Sequence, residues 1–179
     1  MLDVPKHPVL HGHPLHAMLS DLPIGLLPAA AAATIAAGKR TRRNRRATQV
    51  ADLITLMTFA SAAGAATVGI WDWVTIPRSH PAWVPATIHG ALNVAGVAAL
   101  GAATFRPRQR VALLAAVGGG ALVASWLGGE LVFAHGWRVK PAEEYEIVAE
   151  RVRSTGDGEV IGVARDEVSR FEREKTFLA

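Results

Sequence analysis

Six side chains in this sequence could carry chemistry in surroundings that are otherwise apolar: His16, Asp21, Asp72, His89, Asn93 and Glu130. Neutral imidazoles ligate metals through one ring nitrogen. Carboxylates commonly hold such imidazoles by accepting the proton of the other nitrogen. His89 and Asn93 are four residues apart and share a helix face with Gly96. An ionisable group inside a membrane segment is costly, so a layer of them marks a candidate functional site.

The elements that must position these residues follow from the charge-free runs. Leu22–Gly38, Leu53–Trp71, Pro81–Phe105 and Val111–Gly129 contain no Asp, Glu, Lys or Arg. Each approaches the roughly 20 residues that a helix needs to cross the hydrocarbon core. The pattern predicts four membrane helices, over about 14–37, 48–73, 85–105 and 110–133. Pro14 suits the first turn of helix one. Pro23 and Pro28 fall inside it, and a kink is expected near Pro23. Trp71 and Trp73 suit an interfacial belt at the end of helix two. The glycines of helix four, Gly118–Gly120, Gly128 and Gly129, suggest close helix packing more than room for a flat cofactor. In an up-down bundle His16, Asp21, Asp72, His89, Glu130 and His135 fall into one layer at one end.

Charge fixes the expected orientation. Lys39, Arg40, Arg42, Arg43, Arg45 and Arg46 crowd the first connection, and Arg106, Arg108 and Arg110 crowd the third. The second connection has only Arg78, and the N-terminal arm only Lys6. The positive-inside rule then puts both basic loops in the cytoplasm, both termini outside, and the polar layer near the outer face of the plasma membrane. The net charge of +4 reflects these loops, so no nucleic-acid partner is expected. Asp52, at the inner end of helix two, should pair with the adjacent arginine-rich loop. His7, His11 and His80 fall in loops and should be solvated. With no cysteine in the chain, thiolate-held clusters, c-type haem and disulfides are excluded. No cleavable signal is expected, because the basic cluster follows the first apolar run.

Residues 1–137 are therefore read as a transmembrane domain and 138–179 as a charged extracytoplasmic tail. The tail holds ten acids and eight bases from Arg138 onward. Its sequence predicts a hairpin turning at Ser154–Gly158 and an amphipathic helix over 165–178. A segment this short docks on something else: the bundle, a partner, or the same tail of a second copy. The fold class is all-α, a four-helix transmembrane up-down bundle with a short α+β tail.

Several pieces resemble the DUF2231 family of small four-helix bacterial membrane proteins. They are His13-Pro14-Leu15-His16 with Leu22-Pro23-Ile24-Gly25, then Gly69-Ile70-Trp71-Asp72-Trp73. His89-Gly90-Ala91-Leu92-Asn93 follows, and then Leu127-Gly128-Gly129-Glu130-Leu131-Val132 with His135-Gly136. The resemblance covers roughly residues 11–137 and implies the fold and the membrane location. It assigns no activity. Some relatives are joined to Rieske-type iron–sulfur domains, which implies that a redox role in this chain would need a partner. Many relatives carry histidine where Asp21 stands and proline where Ala17 stands.

Three uses of the polar layer are consistent with the residues. A b-type haem would take His16 and His89 as axial ligands, with Asp21, Asp72 and Glu130 holding their tautomers and Asn93 beside them. A divalent metal would draw on the same histidines and acids, although no Glu-x-x-His pair is present. A structural role would use the layer to lock the bundle or to scaffold a partner. No Ser/His/Asp order, phosphate loop or HExxH appears, so an enzyme is not expected.

Overall fold

The computed structural model describes residues 9–10, 13–38, 41–42 and 44–135. A two-residue antiparallel pair, β1 (Val9–Leu10) with β2 (His13–Pro14), precedes four helices. These are α1 (Leu15–Ala37), α2 (Arg45–Val74), α3 (Trp83–Phe105) and α4 (Arg110–Phe133). All belong to one unit, Met1–His135. The hairpin and helix expected in the tail lie outside the described residues.

Helices α1 and α2 pack on one another, as do α3 and α4, and the two hairpins meet along α2–α3 and α1–α4. The result is an up-down bundle with α1 and α3 on one diagonal. The sequence placed the ends of α1, α3 and α4 within two residues. It started α2 at 48 instead of Arg45, because Arg45 and Arg46 read as loop by charge but already lie in the first turn. Helix α1 continues through Pro23 and Pro28. Each proline lacks an amide proton, so the carbonyls of Leu19 and Ile24 lose their usual helical partners.

All four helices are long and apolar enough to cross a membrane. Their packing is that of a membrane protein. The buried residues are mainly small: Ala30, Ala51, Ala65, Ala86, Ala103 and Ala124. Large apolar side chains such as Ile35, Phe105, Leu122 and Phe133 face outward. In lipid, helices associate by close approach of small residues, because tails solvate leucine as well as a neighbouring helix does. The buried threonines of α2 need no external partner. Thr55 and Thr58 donate to Ala51 and Ile54 carbonyls one turn back, at 2.7 and 2.8 Å.

The apolar core of Ala30, Leu100, Ala103 and Leu114 lies toward the end carrying the basic loops. Here Arg110 is buried. Its Nε donates to the Ala103 carbonyl at 3.0 Å, and one terminal nitrogen meets Asp52 Oδ1 at 2.7 Å. Asp52 of α2 thus pairs with Arg110 at the start of α4. The helix C-terminus of α3 explains the choice, since its free carbonyls favour a nearby cation. The first connection is closed by Asn44, whose Oδ1 accepts from Thr41 N and Oγ1, both at 2.8 Å.

At the opposite end, Trp73 Nε1 donates to Thr87 Oγ1 at 2.9 Å and ties α2 to α3. Trp71 is exposed and suits the expected belt, whereas Trp73 is half-buried and serves packing. His80 is not a freely solvated loop residue. It is half-buried, and its Nδ1 accepts the Ala82 amide at 3.1 Å, satisfying a free donor at the start of α3.

Candidate functional site

Near the end opposite the basic loops, His16 from α1 and His89 from α3 approach across the diagonal. Their ring centroids are 6.4 Å apart and the rings stand at 87°. His16 Nδ1 lies 3.0 Å from the Ala65 carbonyl of α2, and His89 Nδ1 lies 2.8 Å from the Ala124 carbonyl of α4. A carbonyl can only accept, so both Nδ1 atoms carry a proton, and in the neutral ring this leaves Nε2 with the lone pair.

The pinning has a local cause. Each acceptor carbonyl lies four residues before a glycine, Ala65 before Gly69 and Ala124 before Gly128. A helical carbonyl already takes the amide four residues on, and its second lone pair is open only where no side chain covers it. A Cβ on Gly69 would sit 2.7 Å from His16 Cε1, and one on Gly128 would sit 3.3 Å from His89 Cε1. The two glycines are therefore sockets for imidazoles.

The two hairpins repeat this arrangement. In each, a histidine of the first helix seats on an Ala-x-x-x-Gly step of the second. In each, the residue four after the histidine donates to the histidine's own carbonyl: Ser20 Oγ to His16 at 2.8 Å, Asn93 Nδ2 to His89 at 3.0 Å. The repeat places the two imidazoles as approximate twofold mates about the bundle axis. One hydrogen bond breaks it. Asn93 Nδ2 also reaches His89 Nε2, at 2.9 Å, whereas Ser20 is too short to do the same for His16.

The sequence identified His16, His89 and Asn93 as neighbours, and the structure brings all three together. It did not find Ala65, Gly69, Ala124, Gly128 or Ser20. A search for H-x-x-x-[ST/N] followed by A-x-x-x-G would have exposed the repeat. Asp21 does not join the layer and is exposed. Five residues past His16, it is turned about 140° around the helix. Asp72 and Glu130 are half-buried at the same end. The imidazole protons go to backbone carbonyls, however, and not to carboxylates as the sequence suggested. The glycines of α4 also divide in two. Gly128 seats His89, while a Cβ on Gly118, Gly119 or Gly120 would meet nothing within 4 Å. Close packing within the chain does not account for those three.

The ligand set bears on what the pair can hold. No group of three or more His, Asp or Glu side chains converges among the described residues. A bare divalent ion asks for three or four such ligands. A haem brings four nitrogens of its own and asks for two. Two metal–nitrogen bonds of about 2 Å, added to two imidazole radii, put opposed ring centroids roughly 6 Å apart. The centroid spacing of 6.4 Å matches that distance, while His89 Nε2 is bonded to Asn93 Nδ2. Gly96 lies seven residues past His89 on the same face of α3, and a Cβ there would meet nothing within 4 Å. There is thus open space on the histidine face.

Comparison with known families gives one match. The model for a family described as "Predicted membrane protein (DUF2231)" covers residues 12–141. Neither the curated proteins nor the solved structures contain a match.

Proposed function

Because this chain belongs to the DUF2231 family of predicted membrane proteins, we propose that it is an integral membrane electron-transfer module holding one b-type haem between His16 and His89. The observation that carries the reading is the imidazole pair. Both rings have Nδ1 fixed on a backbone carbonyl, and their centroids are 6.4 Å apart. Ligating histidines are oriented in this way, with one nitrogen held by an acceptor; the other nitrogen of His89 exchanges its bond to Asn93 for the metal. Bound haem would supply one-electron exchange. The chain's own contribution is to fix both tautomers, to keep the rings perpendicular and to surround them with apolar helix.

By the positive-inside rule, the basic loops lie in the cytoplasm and the histidine end lies near the outer face of the plasma membrane. Electrons would then be exchanged with an extracytoplasmic redox partner. The charged composition of residues 138–179 would suit such a partner or a second copy.

The test is a Soret band in detergent-purified full-length protein after titration with hemin. His16→Ala and His89→Ala should each remove the six-coordinate spectrum. Wild-type protein that gives no stoichiometric complex overturns the reading. A second reading is favoured by the Asn93–His89 bond, which satisfies both nitrogens of His89. In that reading the pair locks the bundle, and the same variants would lower thermal stability with no haem bound by any form.

A further inference from the structure

The repeat is broken at one place, and the break falls on a candidate ligand atom. Asn93 Nδ2 makes two bonds with its two protons: one to the His89 carbonyl at 3.0 Å and one to His89 Nε2 at 2.9 Å. The first bond is the counterpart of the one Ser20 makes to His16. The second has no counterpart. An amide nitrogen only donates, so it occupies the Nε2 lone pair that coordination would need. His16 Nε2 has no such neighbour on its own helix.

We propose that Asn93 is a positioning residue that caps His89, making His89 the releasable ligand of the pair and His16 the standing one. The inference rests on the haem reading for its consequence but not for the cap itself. When His89 leaves a metal, the Asn93 amide takes up its lone pair. Release therefore leaves no buried acceptor unsatisfied, and it costs less than it would at His16. The coordinate bond between Nε2 and the metal would break as the Asn93 N–H···Nε2 hydrogen bond forms, with the lone pair staying on nitrogen and no change of oxidation state. A small neutral ligand such as carbon monoxide or imidazole should therefore enter on the His89 side, where the displaced imidazole has somewhere to go.

The test uses full-length protein in detergent and the variants Asn93→Ser, which copies Ser20, and Asn93→Leu, which keeps bulk without a donor. Loss of one neutral hydrogen bond to Nε2 should tighten hemin binding about five-fold in both. It should also lower the fraction of ferrous protein that binds carbon monoxide. His89→Ala should still bind hemin in a five-coordinate form through His16, whereas His16→Ala should not. Equal or weaker hemin binding in both Asn93 variants overturns the cap. So does a five-coordinate complex that survives only in His16→Ala.

If no form binds hemin, the proposed function fails while the cap is still measurable. The 15N resonance of His89 Nε2 should move toward that of a free, unprotonated imidazole nitrogen in Asn93→Ser. An unchanged resonance rejects the cap. Retained His89 Nδ1 protonation in the same spectra would show that the variant remains folded.

Discussion

At the scale of single residues, the site depends on what is missing from two helices as much as on what is present. Gly69 and Gly128 leave a carbonyl lone pair uncovered, and the imidazoles occupy the space. The clearances differ, which makes the prediction graded. Gly69→Ala puts a methyl 2.7 Å from His16, with the ring seated against the backbone, so His16 must leave its socket. Gly128→Ala puts one 3.3 Å from His89, which a small ring shift can absorb. Thermal unfolding in detergent should show a loss of about 2 kcal/mol for the first and under about 1 kcal/mol for the second. Equal effects would contradict the socket geometry. A backbone acceptor has no side chain to announce it, so only the repeated spacing of H-x-x-x-S/N and A-x-x-x-G marks these partners in the sequence. His16, His89 and Asn93 were legible, because a polar residue in an apolar run is conspicuous and helical spacing gives its face. Asp21 was misjudged because nearness along the chain was read as nearness on the helix, and a five-residue step points elsewhere.

At the scale of elements, the fold was largely readable. Uncharged runs bounded by arginine clusters fix membrane helices to within a few residues, since the hydrocarbon thickness leaves little choice. Which ends are tied together was less readable. Arg110 is counted as a loop charge by composition, yet it is 3% exposed and joins α2 to α3 and α4. Replacing Arg110 with leucine removes the Asp52 pair and leaves α3 carbonyls without their donor. It should cost about 3 kcal/mol, less than a fully dry pair because Asp52 is 37% exposed. Asp52→Asn keeps an acceptor and should cost about 1 kcal/mol. Chemical denaturation of both variants checks the order, and a larger effect for Asp52→Asn would rule out the arrangement. Because this tie is at the basic end, neither variant should alter hemin binding.

At the scale of the whole molecule, four spans put both ends of the described bundle on one side of the bilayer. Nine basic residues in the two loops predict which side that is. Reporter fusions truncated after Arg45 and placed after Ala179 should report opposite compartments, the first cytoplasmic. Arg45 outside with Ala179 cytoplasmic would reverse the proposed placement of the histidine end, and both on one side would refute the four-span topology. The bundle is also two similar hairpins in series, joined only through residues 75–82 between α2 and α3. Such a molecule is a dimer that cannot dilute. A tether this short holds its halves at an effective concentration in the millimolar range or above. Any parting of the seam between the hairpins, and its closing again, would therefore be a first-order event. Its rate would not depend on how much protein the membrane contains.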